Sequence, residues 1–269
     1  MNYSGIDQRI IDAFPFEFDL RRYAIVAATM GSTSHNTYVP KDDPDSIDDV
    51  DIMAVIVPPP KFQLGLRKWE HWTLQKDELD VVVYSLQKFV GLLLKSNPNV
   101  VGLLWLRPEH YLMLHPSFER LRENRDLFSS KVAYDAFAGY ATAQIRKMEG
   151  GAFAGYMGAK RKELVERHGY DAKMAAHAIR LLRMGTEFLE TGTMKVYRDE
   201  DAEEIRSIKR GDWPLEKVKE AAEQGFQRAL AARDRSPLPP KPAFAQAEQL
   251  LLDITLDLWR EAGDISPHG

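Results

Sequence analysis

Three short apolar runs in the first third of the chain set the terms for its fold. Tyr23-Ala24-Ile25-Val26-Ala27-Ala28 leads directly into Gly31-Ser32. Ile52-Met53-Ala54-Val55-Ile56-Val57 carries two aspartates, Asp49 and Asp51, at its start and is stopped by Pro58-Pro59-Pro60, which cannot continue a ladder. Glu78-Leu79-Asp80-Val81-Val82-Val83-Tyr84-Ser85 is β-branched and aromatic and holds a third aspartate. These composition and length patterns predict strands over Tyr23–Thr29, Asp49–Val57 and Glu78–Ser85, with a further strand over Arg67–Leu74. Helices are expected over Tyr3–Phe14, Leu86–Lys95 and Val100–Leu106.

Beyond about Pro116 the pattern turns almost wholly helical. A 3.6-residue period suits Ser129–Glu149, Tyr156–His168, Ala172–Glu190, Glu200–Lys209, Leu215–Ala232 and Ala243–Glu261. Gly150-Gly151 and Gly169 fit helix breaks, and the proline-rich Arg235–Pro242 reads as an extended linker. The expected architecture is α+β: a small mixed β-sheet with flanking helices over residues 1–115, followed by an all-helical region over 116–269.

The chain has 269 residues, 44% hydrophobic and 28% charged, as for an ordinary soluble globular protein. A formal charge of −4 carries no overall bias toward nucleic acid, so an RNA or DNA substrate would need a local basic patch. The absence of cysteine excludes disulfides, thiolate zinc sites and cysteine nucleophiles. No signal-like N-terminus and no run of membrane-spanning length is present, so a cytoplasmic protein that does not enter a membrane is expected.

The aspartates carry the chemistry. Residues two apart on a strand point to one side, so Asp49 and Asp51 converge while Val50 faces away. Two ionised carboxylates side by side call for a cation, and Mg²⁺ (or Mn²⁺) takes hard oxygen ligands and phosphate oxygens together. If the Glu78–Ser85 strand lies beside the second run, Asp80 joins them as a metal ligand and as acceptor of a hydroxyl proton. Gly31 lets backbone approach a phosphate, and Ser32 adds a hydroxyl. Set against this, Asp-x-Asp pairs are common in acidic loops, and Asp42, Asp43, Asp45 and Asp48 make this segment acidic in any case.

Gly31-Ser32-Thr33-Ser34-His35, Ser46-Ile47-Asp48-Asp49-Val50-Asp51 and Leu79–Phe89 resemble the DNA polymerase β nucleotidyltransferase superfamily. Leu94-Lys95-Ser96-Asn97-Pro98-Asn99-Val100 and Ala176–Gly185 resemble, more narrowly, the predicted nucleotidyltransferases associated with RNA ligase and RNA repair. The resemblance spans roughly Tyr23 to Trp213. It implies transfer of a nucleoside monophosphate from a nucleoside triphosphate to an acceptor hydroxyl, with Mg²⁺ at a two-metal site, and RNA as one acceptor class. Two departures stand out: Asn36 occupies a position where the family usually shows glycine, and Val39–Asp45 is an apparent insertion. Asparagine tolerates a left-handed backbone better than most residues.

A triphosphate also needs cations from the helical half. The candidates are Arg146, Lys147, Lys160, Arg161, Lys162, His177, Arg180, Arg183, Lys209 and Arg210, and most basic side chains on such helices are simply solvated. His177 and Arg180 share a helix face at i, i+3, among Ile179, Leu181, Leu182 and Met184. Together with Lys209 they are the expected nucleotide-binding set, although a lone histidine in such surroundings is more often a hydrogen-bonded core residue. Trp69, Trp72 and Trp105 could stack a base but sit on apolar segments typical of core. Rival functions are a nucleotidylating toxin or antibiotic-modifying enzyme, a sugar-nucleotide transferase, and a non-catalytic nucleotide or RNA sensor on the same scaffold.

Overall fold

The structure, a computed structural model, describes residues 6–40, 42–46, 49–76, 78–149 and 158–266. The chain opens with α1 (Gln8–Ala13) and α2 (Leu20–Tyr23), then runs through β1 (Ala24–Thr29) into a one-turn helix, α3 (Gly31–Ser34). Next come β2 (Val50–Ile56), α4 (Pro60–Gln63) and a hairpin of β3 (His71–Lys76) and β4 (Leu79–Ser85). Helices α5 (Leu86–Leu93) and α6 (Pro98–Val101) precede the short β5 (Tyr111–Leu114). The remainder is helical: α7 (Pro116–Glu123), α8 (Val132–Glu149), α9 (Ala159–His168), α10 (Ala172–Thr191), α11 (Ala202–Arg210), α12 (Leu215–Arg235) and α13 (Phe244–Glu261).

The strands form one five-stranded mixed sheet in the order β3-β4-β2-β1-β5. Only β2 and β4 are parallel; the other pairs are antiparallel. Side-chain alternation divides the sheet cleanly. From β2 and β4, Ile52, Ala54, Ile56, Leu79, Val81 and Val83 pack on a layer built from the N-terminal segments, with Ile10, Leu20, Tyr23, Phe62 and Trp69. Met53, Val55, Val82 and Tyr84 face the opposite way, toward a larger cluster shared with Phe89, Phe118, Phe137, Ile179 and Phe188. That cluster contains residues from both sides of position 115. It makes the helical half one wall over the sheet. The indole of Trp259 on α13 donates to Pro58 O at 2.9 Å, fastening the last helix beside the exit of β2.

Several expected boundaries move. The strand expected over Arg67–Leu74 forms at His71–Lys76, because Lys76 pairs with Leu79 across the hairpin and sets the ladder. Trp69 leaves the ladder for an aromatic cluster with Phe14, Phe16 and Phe18. The helix expected over Val100–Leu106 begins earlier, at Pro98, where the Asn97 side chain caps Asn99 N at 2.9 Å, and it tightens to a 3₁₀ turn at Gly102. Strand β5 and helix α7 were not expected as elements; β5, at four residues, is too short to show a period. Of the expected Tyr3–Phe14 and Tyr156–His168 helices, residues 3–5 and 156–157 lie outside the described residues, as does the Gly150-Gly151 break.

Helix α10 is the spine of the helical half, and close approach there depends on glycine. A Cβ at Gly185 would lie 2.8 Å from the Phe137 Cβ of α8, and one at Gly225 of α12 would lie 2.9 Å from Leu182 Cδ1. Gly185→Ala should therefore force α8 and α10 apart. The expected loss, read by chemical denaturation, is about 1–3 kcal/mol despite the better helix propensity of alanine.

Candidate active site

The turn after β1 and the start of β2 are built against each other. Met30 N donates to Asp51 O at 2.8 Å. Gly31 adopts φ +58°, and a Cβ there would fall on the Asp51 carboxylate, so the missing side chain is the space the carboxylate occupies. Three residues beyond α3's start, Ser34 Oγ donates to Gly31 O, and Asn36 takes the left-handed conformation at φ +59°. Arg206 donates to Asn36 O and so ties this turn to α11.

On the parallel β2–β4 pair, Asp51 stands directly beside Asp80. Both line a cavity of about 340 Å³ between the sheet and the helices. The alternation that sends Met53 and Val82 toward the helical half sends these carboxylates the same way. Burial, followed by the charge of Asp49, raises the Asp80 carboxyl above the ordinary range, and Lys173 pulls it back. Asp49 precedes β2, which begins at Val50, and is exposed outside the cavity lining. Among the described residues no three carboxylates or histidines are gathered closely enough to form a finished metal site. The donor set still fits a hard cation: two strand-fixed carboxylates share one cavity, and the glycine beside them leaves room.

The opposite wall is basic. Lys173, His177 and Arg180 lie at i, i+4 and i+7 on α10 and all line the cavity, joined by Lys209 from α11. Lys209 is almost fully buried, and its Nζ donates to Thr37 O at 3.3 Å. Burial and the surrounding cations push His177 down to about 3, so it is a neutral hydrogen-bonding group near pH 7. Burial and the charge of Arg198 bring Arg180 down to about 10, which leaves it a cation at neutral pH. Gly31 and Ser32 complete the lining beside the carboxylates.

Of the other basic candidates, Arg183 pairs with Asp201 and Glu204, Arg161 with Asp171, and Arg210 with Asp43 and Glu203. Arg146, Lys147, Lys160 and Lys162 are exposed and do not line the cavity. The three tryptophans named from sequence are also absent from its lining. The loop before β2 is anchored to the helical half: Asp43 meets Arg210 at 3.1 Å and Asp45 meets Arg167 at 2.7 Å, with Val39 buried. Sequence reasoning missed Lys173, although its i, i+4 spacing to His177 was a legible signal. It also missed Thr37, Pro98, Asn99 and Gly102, which reach the cavity only through the fold.

Two outcomes test this geometry. Gly31→Ala should displace the Asp51 carboxylate and strain the turn, lowering stability by about 1 kcal/mol or more in a denaturant titration. Asp80 carries a raised folded-state value, so its favourable contribution is present below the unfolded pKa and is lost as pH rises through the folded one. Asp80→Asn should accordingly raise the melting temperature at pH 7 and leave it unchanged near pH 3.

Residues 27–253 match the model of the RNA repair pathway DNA polymerase beta family. No curated protein matches the chain. A solved structure of a nucleotidyltransferase-like protein from Exiguobacterium sibiricum is 13% identical, with a TM-score of 0.29, and the match covers 89% of this chain and 73% of that one. The family match runs from β1, through the carboxylate-bearing strands and the basic face of α10, into α13. This chain belongs to the RNA repair pathway DNA polymerase beta family.

Proposed function

We propose that this protein transfers a nucleoside monophosphate from a nucleoside triphosphate to an acceptor hydroxyl and releases pyrophosphate, with RNA as the acceptor class that its family suggests. The observation that carries the reading is the in-register pair of Asp51 and Asp80, facing Lys173, Arg180 and Lys209 across one cavity. Carboxylates on one wall and cations on the other suit a metal-bound polyphosphate, which neither wall alone would hold.

Asp51 and Asp80, with Asp49 at the rim, would hold Mg²⁺ or Mn²⁺. When bound, the metal supplies charge neutralisation for the triphosphate and the departing pyrophosphate. The Ser32 hydroxyl and the backbone at Gly31 hold the β- and γ-phosphates, opposite Arg180, Lys173 and Lys209. Asp80, with its raised affinity for a proton, accepts the proton of the attacking hydroxyl. His177 contributes a hydrogen bond rather than a charge.

Asp51→Asn should abolish magnesium-dependent pyrophosphate release, by more than about a hundredfold, with an unchanged circular dichroism spectrum. Transfer of labelled nucleotide by that variant at the wild-type rate would end the proposal. One observation favours a second reading, a non-catalytic nucleotide or RNA sensor: Asp49 stands off the cavity wall. Nucleotide binding by the wild-type protein with no pyrophosphate release, across all four triphosphates and both metals, would select that reading.

A further inference from the structure

Arg180 differs from the other partly or fully buried arginines around it. Arg198 is held by Glu187 and Asp201, Arg183 by Asp201 and Glu204, and Arg161 by Asp171. Among the described residues Arg180 has no carboxylate in ion-pair contact. Its Nη1 instead meets His35 Nε2 at 2.7 Å and Met184 Sδ at 3.2 Å. We propose that His35 is the positioning residue of the phosphate site: its Nε2 lone pair orients the Arg180 guanidinium without neutralising it, so that the positive charge stays available to a polyphosphate.

The ring's partners dictate its state. His35 Nδ1 lies 2.9 Å from Val196 O, and a carbonyl can only accept, so Nδ1 carries the proton. Arg180 can only donate, so Nε2 must present a lone pair. Both neighbours select the same neutral tautomer. Burial and then the charge of Arg180 hold the ring well below the usual histidine range, which keeps that lone pair in place. The backbone fixes the ring's origin on both sides: His35 N donates to Gly31 O at 3.2 Å, and Arg198 N donates to His35 O at 3.2 Å. One short turn therefore bears the glycine that seats Asp51 and, four residues on, the imidazole that aims Arg180.

The chemistry explains why histidine serves here. A carboxylate in its place would pair with the guanidinium and cancel the charge, as happens at Arg183 and Arg198. An apolar side chain would leave the guanidinium only the weak thioether acceptor of Met184. A neutral acceptor does neither. In sequence His35 and Arg180 are 145 residues apart, and the contact joins the phosphate turn to the basic face of α10.

This inference rests on the polyphosphate reading of the cavity, and its test separates the two. Inorganic tripolyphosphate is titrated into the full-length protein by calorimetry, for the wild type and for His35→Phe, His35→Gln, Arg180→Ala and the His35→Phe/Arg180→Ala double variant. His35→Phe should weaken binding about tenfold. His35→Gln, which retains an acceptor oxygen, should recover most of that loss. The double variant should bind no worse than Arg180→Ala alone, because His35 acts through the guanidinium. Wild-type affinity in His35→Phe, additive losses in the double variant, or no binding by the wild type would each overturn the inference. A ¹⁵N spectrum of the wild-type ring needs no variant: a bare Nε2 with protonated Nδ1 is expected, and an Nε2–H ring would overturn it as well. Tripolyphosphate binding with the predicted coupling, but no pyrophosphate release from any nucleotide, would leave the inference standing and remove the transferase reading.

Discussion

The parallel pairing of β2 with β4 is the constraint on which the rest of the molecule turns. It is the only parallel pair in the sheet, and it sets Asp51 beside Asp80. A slip of one residue would send one of the two carboxylates into the apolar layer beneath the sheet, where Leu79, Val81, Ile52 and Ala54 pack. Apolar alternation on both strands therefore locks the charged pair in register. The cost of holding like charges together is borne by the burial of their neighbours.

The helical half answers that pair with a sorted set of cations. Arg161, Arg183, Arg198 and Arg210 have carboxylate partners and serve to hold helices and the loop before β2 in place. Lys173, Arg180 and Lys209 line the cavity. Burial, with the charges of Arg180, Lys173, Lys147 and Lys209, lowers His177, and burial with the charge of Arg198 lowers Arg180. The cavity thus has two carboxylates on one wall and Lys173, Arg180 and Lys209 on the other.

Much of this was readable from local spacing. Alternation along Ile52–Val57 and Leu79–Ser85 identifies the strands and puts each aspartate on a definite face. The 3.6-residue period marks α8, α10, α12 and α13 to within a few residues, because long amphipathic helices repeat their signal over many turns. Strand β3 shifted by four residues at its start because Trp69 has a better partner in the Phe14–Phe18 aromatics than in a ladder, and nothing local announces that choice. Asp49 and Asp51 read alike as an i, i+2 pair, yet β2 starts between them and only Asp51 reaches the cavity wall.

By itself the sequence determined the type of the longer elements, the polar side of β2 and β4, the glycine at the turn after β1 and the helix face bearing His177 and Arg180. These follow from interactions between residues a few positions apart, which composition and period encode directly. Tertiary structure alone decided which strands are neighbours, which arginines are neutralised, and that His35 meets Arg180. The His35–Arg180 contact joins residues 145 positions apart. Packing of the whole chain selects such contacts, and no local pattern carries that information.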